Sequence, residues 1–147
     1  LGVKNTGAMN REAQRLLNEY GFGRIKASDM IDRYNFEDRK LVEIVKATYM
    51  KPKILVVDET TTALSQNGRQ ELYKIVDAIR ADGRTVIFIS HDLNEVMELS
   101  DSLIVMHNGR IAAYFDDTAG LTDEIMGEYM LGLKQQSEAE IRRACHD

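Results

Sequence analysis

The sequence predicts an α/β fold built on a mostly parallel sheet, with a helical subdomain at its N-terminal end. Three observations carry that reading. Ile54-Leu55-Val56-Val57 and Thr85-Val86-Ile87-Phe88-Ile89 are short, apolar runs rich in β-branched residues, the pattern of strands covered on both faces and therefore paired in parallel. Between them Leu72, Ile75, Val76 and Ile79 recur at helical spacing, so strand, helix and strand form one crossover unit. The first strand then runs into adjacent carboxylates, Asp58 and Glu59, at the kind of strand end where open α/β sheets bind their ligands.

The remaining elements follow in chain order. From Asn10, apolar Ala13, Leu16, Leu17 and Tyr20 trace one helix face, which Gly21 stops. Ser28-Asp29 opens at most a short helical turn in a connecting stretch. Leu41, Ile44, Val45 and Thr48 trace a second helix lasting to about Tyr49, and Lys51-Pro52-Lys53 breaks it ahead of the first strand. Thr60 to Ser65 reads as a polar loop, with Ser65 capping the crossover helix and Asp82-Gly83 ending it. Leu93 to Leu99 is a short helix with Val96 and Met97 inward. Leu103 to His107 and Ile111 to Phe115 flank Asn108-Gly109, the strongest short hairpin signal a sequence carries. His107 reads as a bystander beside that turn. A further helix spans Leu121 to Leu131, and from Lys134 the chain is polar, a loosely docked helix or linker. The expected organisation is a helical segment over 1–50, an α/β core with a terminal hairpin over 51–132 and a polar tail over 133–147.

Composition excludes several classes of function. With 147 residues, 44% apolar and 29% charged, the chain has enough apolar material for one domain with a real core and is no disordered segment. A net charge of -5 argues against a nucleic-acid partner, whose footprint is a basic stripe. The single cysteine, Cys145, has no internal disulfide partner, which points to a reducing compartment and makes the cytoplasm the default. No apolar run approaches the roughly 18 residues of a membrane span, so any role at a membrane is peripheral.

The chemistry sits at the strand ends. An Asp at the end of a buried strand suits Mg²⁺, a hard cation that takes oxygen ligands, and the following Glu suits a water to be polarised or deprotonated. Asp58 and Glu59 together read as the Walker B pair of a nucleotide hydrolase. Taken alone they read equally as an acidic strand-to-turn junction. Ser90-His91-Asp92 is not a serine triad, because consecutive strand residues point to opposite faces.

The order of these signals resembles the ATP-binding subunit of ABC transporters over about Asn10 to Leu133. By that resemblance Asp58 matches the Walker B aspartate that organises Mg²⁺ and Glu59 the catalytic glutamate. Thr62-Ala63-Leu64-Ser65 matches the D-loop that crosses to a partner subunit, and His91 the switch histidine that bonds the γ-phosphate of ATP. Val42-Glu43-Ile44-Val45-Lys46-Ala47, and Ser65 where most of the family has Asp, are similar to the monosaccharide importers of the ribose and galactose type. Those importers carry two ATPase domains in one polypeptide, and Ser90-His91 looks like the first.

The resemblance implies a P-loop NTPase-like fold, ATP and Mg²⁺ as cofactors, and ATP-driven import of a monosaccharide or similar solute. The implied partners are a second nucleotide-binding domain, transmembrane permease subunits and, indirectly, a solute-binding protein outside the membrane. The implied location is the cytoplasmic face of the cell membrane. A non-transport ATPase of the same superfamily, and a catalytically inactive docking or regulatory half-domain, are the alternatives.

This sequence departs from the family pattern in two main ways. It contains no Gly-x-x-x-x-Gly-Lys-Ser/Thr phosphate loop and no glutamine loop, so it looks like the latter part of an ATPase domain, inactive by itself. Where the family carries its signature motif Leu-Ser-Gly-Gly-Gln, whose serine and glycine amides grip the γ-phosphate bound on the opposite domain so that each of two ATP sites is a composite, this chain has Tyr34-Asn35-Phe36-Glu37-Asp38. A bare helix N-terminus is an anion site, whereas here Asn35 is expected to cap the helix while Glu37 and Asp38 satisfy its dipole internally. A lesser departure is Thr60 in place of a family proline.

Overall fold

A computed structural model describes residues 5–145. The first four residues of the 1–50 segment and the last two of the 133–147 tail lie outside that range. The chain divides into two compact units, 1–87 and 88–147.

The first unit begins with α1 (Thr6–Glu19), capped by the Asn5 side chain, which accepts from the Ala8 amide. It starts four residues earlier than the apolar spacing suggested because the cap, not the apolar face, sets the helix start. Gly21, at φ 84°, ends it in the left-handed conformation glycine adopts freely. A short 3-10 turn over Ile31–Arg33 leads to α2 (Phe36–Thr48), whose Leu41, Ile44, Val45 and Thr48 are buried as the periodicity predicts. Strand β1 (Ile54–Asp58) follows, and a 3-10 turn over Thr60–Ala63 replaces the expected plain loop. Helix α3 (Gln66–Ala81) buries Leu72, Ile75, Val76 and Ile79 and packs against α2. Strand β2 (Thr85–Ile89) is the hydrogen-bonded neighbour of β1 in a small parallel sheet.

The expectation that β1 is covered on both faces is not met. Among the described residues its sheet has two strands, and burial alternates along it. Leu55 and Val57 are buried, while Ile54 and Val56 are 57% and 56% exposed. Uniform apolarity reports that both faces avoid water, but the described residues cover one of them.

In the second unit, α4 (Leu93–Leu99) precedes the hairpin of β3 (Leu103–His107) and β4 (Arg110–Phe115). The strands are antiparallel, with His107 opposite Arg110 and a register irregularity between Val105 and Met106. Asn108 and Gly109, at φ 49° and 74°, supply the two positive angles that a tight hairpin turn needs. Helix α5 (Asp123–Met130) packs its Met126 and Tyr129 into a core with Val96, Leu103, Val105, Ala112 and Ala113. The polar tail is ordered as α6 (Glu138–Ala144), and Gln136 ties it to β4: its amide donates to the Ala112 carbonyl and its side-chain oxygen accepts from the Tyr114 amide, both at 2.9 Å. No helix among the described residues is long and apolar enough to cross a membrane.

Candidate functional site

Asp58 is the last residue of β1, and both Asp58 and Glu59 are exposed. The chain turns at Glu59, whose φ of 43° and ψ of 25° lie in the left-handed region. For a residue with a side chain that conformation costs on the order of 1–3 kcal/mol and persists where its surroundings impose it. Two threonines hold the turn. Thr62 Oγ1 donates to the Glu59 carbonyl at 2.8 Å, and Thr60 Oγ1 donates more weakly to the Asp58 carbonyl at 3.3 Å. The hydroxyl of Thr60 thus gives the turn a bond that a proline there lacks.

The donor set suits Mg²⁺ in one specific sense. That ion uses one or two protein carboxylates and completes its octahedron with waters and phosphate oxygens. Asp58 is an exposed carboxylate at a strand end. Among the described residues no group of three or more His, Cys, Asp or Glu side chains forms a self-sufficient metal cage. The phosphate side of such a site needs groups that this sequence does not contain.

The start of α2 is where sequence and structure part. Asn35 caps the helix as expected, its Oδ1 accepting from the Asp38 amide at 2.7 Å. Glu37 and Asp38, however, do more than satisfy the dipole of their own helix. Glu37 Oε2 accepts from the Ser65 amide at 2.9 Å, and Glu37 Oε1 accepts from Ser65 Oγ at 3.1 Å. Asp38 pairs with Arg24 Nη2 at 2.7 Å, and the same guanidinium holds both carboxylate oxygens of Glu71 at 2.9 Å. Paired first with Glu71 and then with Asp38, Arg24 is held above its ordinary pKa. The physical reason is proximity: α2 packs on α3, so amides at the start of α3 are within reach of Glu37.

Ser65 is the N-cap of α3, as the sequence predicts, accepting from the Gly68 amide at 3.2 Å. In the second unit, Ser90 donates to Glu95 Oε2 at 2.8 Å and accepts from the Asp92 amide at 3.0 Å, while Asp92 caps α4 through the Glu95 amide at 3.4 Å. The Ser90 proton is therefore committed to a carboxylate 2% exposed, and the sequence is no triad. His91 is exposed between these anchored neighbours.

The sequence reading missed Arg24, Gly68, Glu71 and Glu95. Glu95 was legible as an acid three residues after an N-cap Asp. Arg24 and Glu71 are 47 residues apart, and no local pattern links them.

No family profile matches the chain. The ribose import ATP-binding protein RbsA of Pseudomonas putida is 39% identical over 106 residues, 72% of this chain and 21% of the relative. The chain belongs to the ABC ATPase family. RbsA 1 of Rubrobacter xylanophilus is 34% identical over 97% of this chain and 28% of its own length, and the arabinose import ATP-binding protein AraG of Vibrio parahaemolyticus 30% identical over 89% and 26%.

Solved structures agree on the fold. An ATP-binding cassette of an ABC transporter superposes with a TM-score of 0.73 at 22% identity, covering 90% of this chain and 52% of the other. A bacterial ABC transporter cassette solved as a dimer gives 0.65 at 19%, covering 82% and 52%. This ABC ATPase chain thus spans between 21% and 28% of these curated relatives.

Proposed function

We propose that this chain supplies the Walker B, D-loop and switch-histidine part of an ATPase that powers import of a monosaccharide or similar small solute. The carrying observation is the pair Asp58-Glu59 at the end of an apolar strand, with the backbone turned left-handed at Glu59. It stands in a chain 30% to 39% identical to sugar import ATP-binding proteins. Asp58 would share Mg²⁺ with ATP, Glu59 orient or deprotonate the attacking water, and His91 bond the γ-phosphate. Residues 1–50 form the signature subdomain, 51–132 the catalytic core and 133–147 a tail. The partners are a second nucleotide-binding domain and membrane permease subunits, with a solute-binding protein acting indirectly, and the location is the cytoplasmic face of a membrane.

The composite site facing α2 is the weaker of two. Loss of a positioned oxyanion donor costs about 2.7–4 kcal/mol of transition-state stabilisation, and at α2 the signature glycines are replaced by Phe36 and Glu37. The substituted segment Tyr34 to Asp38 favours, as a second reading, a half-domain that docks without hydrolysing.

Turnover separates the two. In a polypeptide that joins this sequence to a Gly-rich phosphate loop, Glu59→Gln is expected to slow ATP hydrolysis by roughly 10²–10⁴-fold, the usual worth of a positioned general base, with nucleotide binding intact. Turnover that stays within a few-fold of the parent removes Glu59 from the chemistry.

A further inference from the structure

We propose that Glu37 is a positioning residue for the Thr62–Ser65 loop, supplying from α2 the carboxylate that a capping box ordinarily draws from its own helix. The ordinary device is present in this chain at α6. There the Ser137 amide and hydroxyl both bond Glu140 Oε2, at 2.7 and 2.6 Å, and the Glu140 amide returns a bond to Ser137 Oγ at 3.3 Å. In α3 the N-cap is Ser65, whose Oγ accepts the equivalent bond from the amide of the third helical residue, but that residue is Gly68 and has no carboxylate to offer. Glu37, 28 residues away, takes both of the bonds that Glu140 takes in α6.

The space has been left for it. A Cβ on Gly68 would lie 2.6 Å from both Cδ and Oε1 of Glu37, so the bare first turn of α3 admits a carboxylate from outside the helix. A second tie lies alongside, where Asp38 reaches Glu71 through Arg24. The loop therefore ends at a residue whose amide and hydroxyl are held by α2. A displacement of the start of α2 carries Ser65 with it. This gives the substituted signature segment a role in place of phosphate contact, and its meaning for catalysis rests on the reading of Thr62–Ser65 as the D-loop.

Amide hydrogen exchange on the full chain, followed by NMR, tests the clamp without nucleotide. Glu37→Ala is expected to speed exchange at the Ser65 amide by about tenfold, the equivalent of one hydrogen bond to a charged acceptor. Gly68→Ala, which leaves Glu37 in place but fills its space, is expected to do the same. Unchanged exchange at Leu72, Ile75, Val76 and Ile79 in each variant shows that α3 remains folded.

The double variant Glu37→Ala/Gly68→Glu rebuilds a local box. It is expected to restore protection at Ser65 while the Thr62 to Leu64 amides stay less ordered than in the parent, because a local box does not reach α2. Ser65 exchange within about twofold of the parent in both single variants overturns the proposal. Full recovery of loop order in the double variant also overturns it, since Glu37 would then be a cap and nothing more. The turnover assay on Glu59→Gln addresses the ATPase reading separately, so either idea can fail without the other.

Discussion

Glu37 and Glu140 are both glutamates bonded to a serine N-cap, and the difference between them lies in where the carboxylate comes from. Glu140 sits in the first turn of its own helix, so Ser137-x-x-Glu140 was readable as a capping box. Bonds first from the Ser137 hydroxyl and then from the Ser137 amide hold the Glu140 carboxyl below its ordinary 4.5. A group whose folded pKa is depressed contributes stability that is present above the unfolded value and lost as pH falls through the folded value. Protection of the Ser137 amide should therefore still be present at pH 4.5 and be lost only as the pH falls further, through the lowered folded value. Exchange or chemical-shift titration of that amide checks the sign, and protection that increased on acidification would contradict the assignment.

At the scale of an element, His107 turns from a bystander into a tie between the hairpin and α5. Its Nδ1 lies 2.8 Å from the Met130 carbonyl and its Nε2 lies 2.9 Å from Asn108 Nδ2. A proton on Nδ1 satisfies both contacts, since that nitrogen then donates to the carbonyl and Nε2 accepts from the amide. Gly132 follows at φ 71°, and a Cβ there would meet His107 Nε2 at 2.7 Å, so the ring and the glycine fit as a pair. His107→Ala is expected to destabilise the chain by about 1 kcal/mol, the net worth of one such bond, and to raise exchange at the Gly132 and Leu133 amides. Urea unfolding measures the first effect, and an unchanged midpoint would return His107 to the role of a turn neighbour. The spacing of β3 placed His107 beside the turn but held no information about Met130, 23 residues on.

At the scale of the whole molecule, the strands carry apolar side chains that the described residues leave exposed. Ile54 and Val56 on β1, and Ile104 and Met106 on β3, are each more than half exposed. Among the described residues the sheet of the first unit has two strands, so each has an edge that no other described strand pairs with. Exposed apolar strand faces beside open strand edges favour association. The chain is expected to self-associate with rising concentration, and Ile54→Lys/Val56→Lys is expected to suppress this without unfolding, because neither side chain belongs to the core. Sedimentation velocity over a concentration series measures it. A parent that stays monomeric throughout would mean that these faces are tolerated bare.

The sequence alone determined what depends on residues within about ten positions of one another. The buried faces of α2 and α3, the caps Asn35 and Ser65, the Asn108-Gly109 turn and the strand ending at Asp58-Glu59 all follow from periodicity, capping and turn chemistry, which act locally. Tertiary structure decided the rest. It selected Ser65 as the partner of Glu37 and Arg24 as the link from Asp38 to Glu71, because a charged side chain accepts whichever donors packing brings near it. It also decided that one face of β1 stays uncovered, since an apolar strand specifies that it be covered but not by what. The left-handed backbone at Glu59 is the intermediate case: the acidic strand end was legible, and the turn that presents it is held by threonine bonds two and three residues long, local in reach but announced by no pattern in the sequence.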